Sequence, residues 1–377
     1  MKLQRKNRLR ALSVSALAVT SALVLSACGS DDNTGGGGSE GGQKDAGAAD
    51  IKCDGDGNLI ASGSSAQKNA VDAWVQAYQQ ACSGTKINYK ATGSGAGIQE
   101  FLQGKTAFAG SDSVLKEDEV AQSAKVCKSG KAVNLPLLAG PVAIGYNLSG
   151  VDDLVLDAST LAKIFDSKIT KWDDAAIKKL NPDADLPSTK IQAFHRSDES
   201  GTTDNFTSYL AAAASSDWKH EPGKAWAAKG GQSADGSAGV ASNVKQTEGA
   251  IGYFELSYAT GNNIPAVQLD TGAGDPVEAT VENSSAAVSA GKVVGKDGDL
   301  AMELDYATKE EGAYPIILVT YEIACDKGNK AETLPATKSF LKYAASEDGQ
   351  KLLADIDYAP MPEEIITQVR KAVDSLA

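Results

Sequence analysis

The chain has 377 residues and a formal net charge of −13, from 49 acidic against 36 basic side chains, with only two histidines. An acid excess of this kind leaves no electrostatic footprint for nucleic acid and no bulk attraction for an anionic ligand. Any anion capture must therefore come from local dipoles and individual cations.

Residues 1–27 place Lys2, Arg5, Lys6, Arg8 and Arg10 ahead of an apolar run over 11–25, the pattern of an export signal and too short for a comfortable membrane span. The run ends Leu25-Ser26-Ala27-Cys28, which is similar to the bacterial lipobox, so Cys28 is expected to become the lipidated first residue. Residues 28–50 are rich in glycine and serine with almost nothing to bury, and read as a flexible tether. No later stretch is long and apolar enough to span a bilayer. The expectation is an exported protein, lipid-anchored on the extracytoplasmic face of the cell membrane. With Cys28 lipidated, Cys53, Cys82, Cys127 and Cys325 remain, an even number that points to two disulfides in an exported chain. Of three pairings, Cys53–Cys82 is favoured, where a helix returns past the start of the preceding strand, leaving Cys127–Cys325. Zinc is the alternative, but the spacings lack any C-x-x-C pair.

From residue 51 onward the chain is long for one core and more natural as two domains. A strand over 58–61 breaks at Ser62-Gly63-Ser64-Ser65, after which Ala70, Trp74, Ala77, Tyr78 and Ala81 recur at helical spacing. The same order returns with a strand over 86–90, the turn Thr92-Gly93-Ser94-Gly95-Ala96-Gly97, and a helical pattern through Ile98, Phe101 and Leu102. A third turn, Gly110-Ser111-Asp112-Ser113, precedes a helix-favouring stretch over 116–120. Alternation of this kind argues for α/β layers with ligand-carrying loops at strand ends. Nucleotide readings of these turns fail: Gly104-Lys105-Thr106 lacks the P-loop's earlier glycine, since Gln99 stands there, and the third glycine of a dinucleotide fingerprint would fall at Ile98. Glycine here fits close approach of backbone N–H groups to a small oxyanion.

A buried-strand run over 142–147 marks the first crossing into a second domain, which continues with helices over 160–165 and 173–180. A strand over 191–194 then leads into His195-Arg196-Ser197-Asp198-Glu199-Ser200-Gly201-Thr202-Thr203. Arg196 offers a planar fork of donors that Asp198 could hold in place. Ser200, Gly201 and Thr202 add hydroxyls and backbone N–H groups at a helix start, where partial positive charge favours phosphate, sulfate or carboxylate. A strand over 249–254, the return crossing over 312–321 and a helical tail packing back on the first domain complete the chain.

These stretches, with Lys171-Trp172-Asp173-Asp174, Gly249-Ala250-Ile251-Gly252-Tyr253 and Tyr314-Pro315-Ile316, occur in an order that resembles the phosphate-binding proteins of bacterial phosphate-specific ABC transporters, in lipoprotein form. The resemblance runs from about Asn58 to the C-terminus. It implies a two-lobed α/β periplasmic-binding-protein fold of the type II kind, with residues 51–144 and 314–377 as lobe I and 145–313 as lobe II, joined by two crossing strands. It implies no enzymatic activity, no cofactor and no metal. The implied partners are inorganic phosphate and the membrane permease and ATPase subunits of an ABC transporter, with the protein working as a monomer. Matched by motif, the phosphate site takes Ser64, Ser65 and Ala66 from the first loop, Ser94 from the second, Asp112 from the third, and Arg196, Ser200, Gly201 and Thr202 from the second lobe, with Asp198 behind Arg196. Ser65 stands where relatives often carry threonine, Ala66 is expected to serve through its N–H, and Glu199 occupies a position often held by glycine.

Asp112 is expected to set selectivity, because a protonated phosphate can donate to it whereas sulfate cannot. The alternatives are a binding protein for sulfate or molybdate, or an exported phosphatase-like hydrolase. The hydrolase lacks a G-x-S-x-G elbow between a strand and a helix, and its one tempting base, His195, reads as structural, with the neighbouring cation disfavouring protonation.

Overall fold

The computed structural model describes residues 51–377. The export signal, the tether and Cys28 lie outside the described residues. Strands β1 (Gly57–Gly63), β2 (Thr85–Ala91) and β3 (Phe108–Ser111) alternate with helices Lys68–Ala81 and Ser94–Leu102, as the repeated strand, turn and helix pattern predicts. After helix Glu117–Ser123 comes β4 (Ala132–Asn147), whose 16 residues are buried on both faces nearly throughout. Such a run is continuous in hydrophobicity rather than alternating, as expected for a central strand covered on both sides. Sequence reading finds only its second half, because Pro136 and Pro141 interrupt the first.

The chain continues through β5 (Val155–Asp157), β6 (Gln192–Arg196), β7 (Gln232–Ala234), β8 (Ala250–Glu255), β9 (Gln268–Asp270), the short pair β10 (Lys292–Val293) and β11 (Met302–Glu303), and β12 (Ile317–Cys325). Eight of these strands form one sheet in the order β2-β1-β3-β12-β4-β8-β6-β7. Strand β4 pairs with β12 as far as Pro141 and with β8 from Val142 onward. The return strand begins at Ile317 and not at residue 312, so the stretch before it is connecting chain.

Leu137 is an extra residue in β4: the β12 register steps from Thr320 opposite Leu138 to Tyr321 opposite Pro136. Bulges of this kind re-aim side chains beside functional sites. The C-terminal helices Leu334–Ala344, Glu347–Ala354 and Glu363–Ser375 pack back on the first part of the chain. Trp74 donates its indole N–H to the Gly349 carbonyl at 2.8 Å, and Tyr78 meets the Phe340 ring edge-on at 5.5 Å. Both expected disulfides are present, Cys53–Cys82 and Cys127–Cys325, the latter tying β12 to the chain entering β4 across 198 residues of sequence. Each such cross-link is worth about 2–4 kcal/mol.

Candidate functional site

The nine residues singled out in the sequence are all buried and converge where strand-end turns from both ends of the long sheet meet. Ser64, Ser65 and Ala66 follow β1, Ser94 opens the helix after β2, and Asp112 follows β3. From the other side come Arg196, ending β6, and Ser200, Gly201 and Thr202 at the start of helix Gly201–Ala213. The Ser200 hydroxyl caps that helix by accepting from Thr203 N–H at 3.2 Å, which leaves the Gly201 and Thr202 end of the helix turned to the site.

The two sides touch. Gly201 N–H donates to the Ser94 hydroxyl at 3.1 Å, and Gly95 N–H donates to the Glu199 carbonyl at 3.0 Å. Gly201 must be glycine here, since a Cβ would sit 2.5 Å from the Asp112 Cβ and 2.7 Å from the Ser94 oxygen. Asn205 spans the contact, its amide donating to the carbonyls of both Asp112 and Gly201 at 2.7 Å. Glu199 is exposed as a residue, its backbone carbonyl takes the Gly95 bond, and its carboxylate lies over Gly95, where a Cβ would sit 2.3 Å from Oε2.

Asp112 is an acceptor surrounded by hydroxyls. Ser64 Oγ lies 2.7 Å from both carboxylate oxygens, Thr320 Oγ1 donates to Oδ1 at 2.7 Å, and Ser94 Oγ donates to Oδ2 at 3.3 Å. Burial pushes the Asp112 carboxyl up to about 6; the Ser64 and Thr320 bonds pull against the shift, and the Glu255 charge adds to it. Arg196 is built differently. Its Nε donates to Asp198 Oδ1 at 2.7 Å and Nη2 donates to the other carboxylate oxygen, a planar fork on a planar acceptor. Nη1 is left to reach Thr202 Oγ1 at 3.2 Å and Ser237 Oγ at 3.1 Å. Burial opposes the Arg196 charge, but Asp198 more than restores it, so the guanidinium is held above its usual range. Burial likewise opposes the Asp198 charge, and Arg196 outweighs it to hold that carboxyl below its usual range.

Four contributors escaped the sequence reading. Thr320 sits inside an apolar run and carries no signal of its own. Ser237, which accepts from Arg196 and meets Ser65 Oγ at 3.2 Å, lies in Ser233-Ala234-Asp235-Gly236-Ser237, a hydroxyl and glycine turn before a helix like the others. Glu255 ends β8 and accepts from Thr202 Oγ1 at 2.7 Å. Tyr258 donates to the Ser65 carbonyl at 2.9 Å. His195 stacks on Trp226 at 4.9 Å, and burial, not the neighbouring cation, lowers its pKa.

A buried cluster at the ends of sheet strands, made of hydroxyls, helix-start N–H groups, one fixed cation and the acceptor acids Asp112 and Glu255, has the chemistry of a solute-binding protein that holds a small oxyanion. Residues 42–348 match the model of the PBP superfamily domain. The phosphate-binding protein PstS 3 of Mycobacterium tuberculosis is 43% identical, with 94% of this chain and 96% of that protein covered. PstS 2 of the same organism is 39% identical, covering 94% of this chain and 95% of the relative. Among solved structures, a phosphate ABC transporter substrate-binding protein from Clostridium perfringens superposes with a TM-score of 0.59 at 22% identity, covering 81% of this chain and all of the other, a likeness that bears on the fold. The chain belongs to the PBP superfamily and, within it, to the phosphate-binding protein family of these relatives.

Proposed function

We propose that the protein captures inorganic phosphate outside the cytoplasm and delivers it to the permease and ATPase subunits of an ABC transporter. The observation that carries this reading is the pairing of Arg196 with Asp112 across one small buried site. A guanidinium, helix-start N–H groups and hydroxyls attract a tetrahedral oxyanion, while the acceptor-only Asp112 demands that the ligand bring a proton. Phosphate and arsenate meet that demand near neutral pH. Sulfate and molybdate bring no proton, so they would set like charge against the buried Asp112 carboxylate with no donor between them, which disfavours both.

Ser64, Ser65, Ser94, Ser200 and Thr202 act through hydroxyls, and Ala66 and Gly201 through backbone N–H groups. Residues 51–144 with 314–377 form one lobe and 145–313 the other. The change of partner along β4 and the return through β12 support such a division, with ligand favouring the closed state that a permease can distinguish. Lipid anchoring through Cys28 and a monomeric working state belong to the same reading.

Titration calorimetry of the chain from residue 50 onward tests it. Phosphate and arsenate bind tightly and sulfate does not; equal binding of sulfate would replace phosphate with a general oxyanion, and no binding of any would remove the reading.

A further inference from the structure

The antiparallel ladder of β3 and β12 sets Tyr321 opposite Ser111 and Glu322 opposite Gly110. Residues two apart on a strand share a face, so Glu322 lies one row along the sheet from Thr320, the residue that donates to Asp112. Glu322 is 1% exposed, and neither of its carboxyl oxygens has a hydrogen-bond partner. The side-chain oxygen of the fully buried Gln67 is also without a partner.

Gly110 leaves the room in which this group packs, since a Cβ there would lie 1.9 Å from Gln67 Nε2 and 2.6 Å from the Tyr89 hydroxyl. Gln67 Nε2 donates to the Tyr89 hydroxyl at 3.0 Å, Tyr89 donates to the Ser64 carbonyl at 2.8 Å, and Ser64 Oγ reaches Asp112 at 2.7 Å. Glu322 therefore adjoins the chain of hydrogen bonds that seats the first loop. Among the described residues, the groups that act on it include no cation: Gly110 lies opposite it on β3 with Asp112 in the turn that follows, Tyr89 stands on β2, Gln67 in the first loop, and Leu135 opposite it on β4. An ionised carboxylate and an amide oxygen are both acceptors, whereas a neutral carboxylic acid has an O–H to give.

We propose that Glu322 is a positioning residue that carries a proton whenever the site holds phosphate, leaving Asp112 as the ionised acid facing the ligand, and that phosphate capture is thereby coupled to proton uptake wherever Glu322 is ionised in the free protein. The inference rests on the phosphate reading above. Burial pushes the Glu322 carboxyl up to about 8; the Gln67 amide, which falls short of hydrogen-bond geometry to it and donates to Tyr89 instead, pulls weakly against the shift, and the Asp112 charge adds to it. Tyr89 is raised well above its usual range by burial and Asp112 titrates near 6, so between about pH 7.5 and 9.5 Glu322 is the member of this group that changes charge. An arriving dianion opposes its ionisation further, so binding draws a proton onto it.

The experiment is phosphate calorimetry on the parent chain and on Glu322→Gln at about pH 8.5, each in two buffers of different ionisation enthalpy, repeated across about pH 7–9.5. The parent is expected to take up about three-quarters of a proton per phosphate at pH 8.5, rising toward one at the top of the range, and to lose affinity by up to about tenfold per pH unit above the Glu322 midpoint. Glu322→Gln is expected to take up none and to hold its affinity over the same range. Equal proton uptake and equal pH profiles in the two proteins would overturn the inference while leaving phosphate capture intact. Absence of phosphate binding at every pH would instead bring down the reading beneath it. If Glu322→Gln does not fold, carbon NMR of the carboxyl-labelled parent decides: a Glu322 signal neutral at pH 7 whose midpoint rises on phosphate addition supports the proposal, and one already ionised there rejects it.

Discussion

The two sides of the site solve the same burial problem in opposite ways. On the Arg196 side, charge is matched within the protein: a guanidinium is forked onto Asp198, and the donor left over is aimed at Thr202 and Ser237. On the Asp112 side, an acid is held by hydroxyls alone, with a second buried acid, Glu322, one row away and no cation among its bonded partners. A paired cation keeps its charge at any ordinary pH and attracts anions without regard to their protonation. A hydroxyl-held acid responds to what the ligand brings. Affinity is thus expected to reside mainly on the first side and discrimination on the second.

The largest effect should come from cutting the first side. Arg196→Ala leaves Asp198, whose side chain is only 12% exposed, without its partner, and should cost about 3–5 kcal/mol of folding stability in denaturant melts together with phosphate binding. If binding survives that change at near-parental strength, affinity does not reside there. Next comes Asp112→Asn, which should retain phosphate binding but narrow the preference for phosphate over sulfate by tenfold or more, about 1.4 kcal/mol or greater. Its stability signature has a definite sign. The folded-state pKa of Asp112 is raised, so its contribution is fully present below the unfolded value of 3.8 and is lost as pH rises through about 6. Without ligand, Asp112→Asn should therefore melt above the parent at pH 8, with the gap closing below about pH 4. A gap independent of pH would show that the carboxyl's charge is not what the hydroxyls are holding. A third, comparable effect falls where the two sides touch. Gly201→Ala drives a methyl into Asp112 and Ser94 and should cost about 1–3 kcal/mol, read as weaker phosphate binding with a nearly unchanged fold by circular dichroism.

The Arg196 side was legible in the sequence because its parts are local. Arg196, Asp198, Ser200, Gly201 and Thr202 fall within seven consecutive positions, and a strand followed by a capped helix places them together whatever the rest of the chain does. The first-loop serines, Ser94 and Asp112 were visible for the same reason, each standing at its own strand-end turn. The partners that complete them were not. Thr320 lies 208 residues from Asp112, and Ser237 lies 172 residues from Ser65, so no spacing rule joins them. Strand β4 was half missed because its prolines mimic a strand end, although the bulge at Leu137 accommodates the chain and β12 covers it.

From the sequence by itself follow the α/β alternation, the hydroxyl and glycine turns, the Arg–Asp fork and an even set of four cysteines, all of which depend on local periodicity, capping chemistry or composition, whereas the favoured cysteine pairing needed the fold to decide it. Only the tertiary structure decided which hydroxyls feed Asp112, why position 201 admits no side chain, and that Glu322 is buried without a partner beside the first loop. The first and last of these depend on pairing between β3 and β12, strands about 200 residues apart, whose register is set by the packing of the whole sheet, and the second on the helix from Gly201 meeting Asp112 and Ser94.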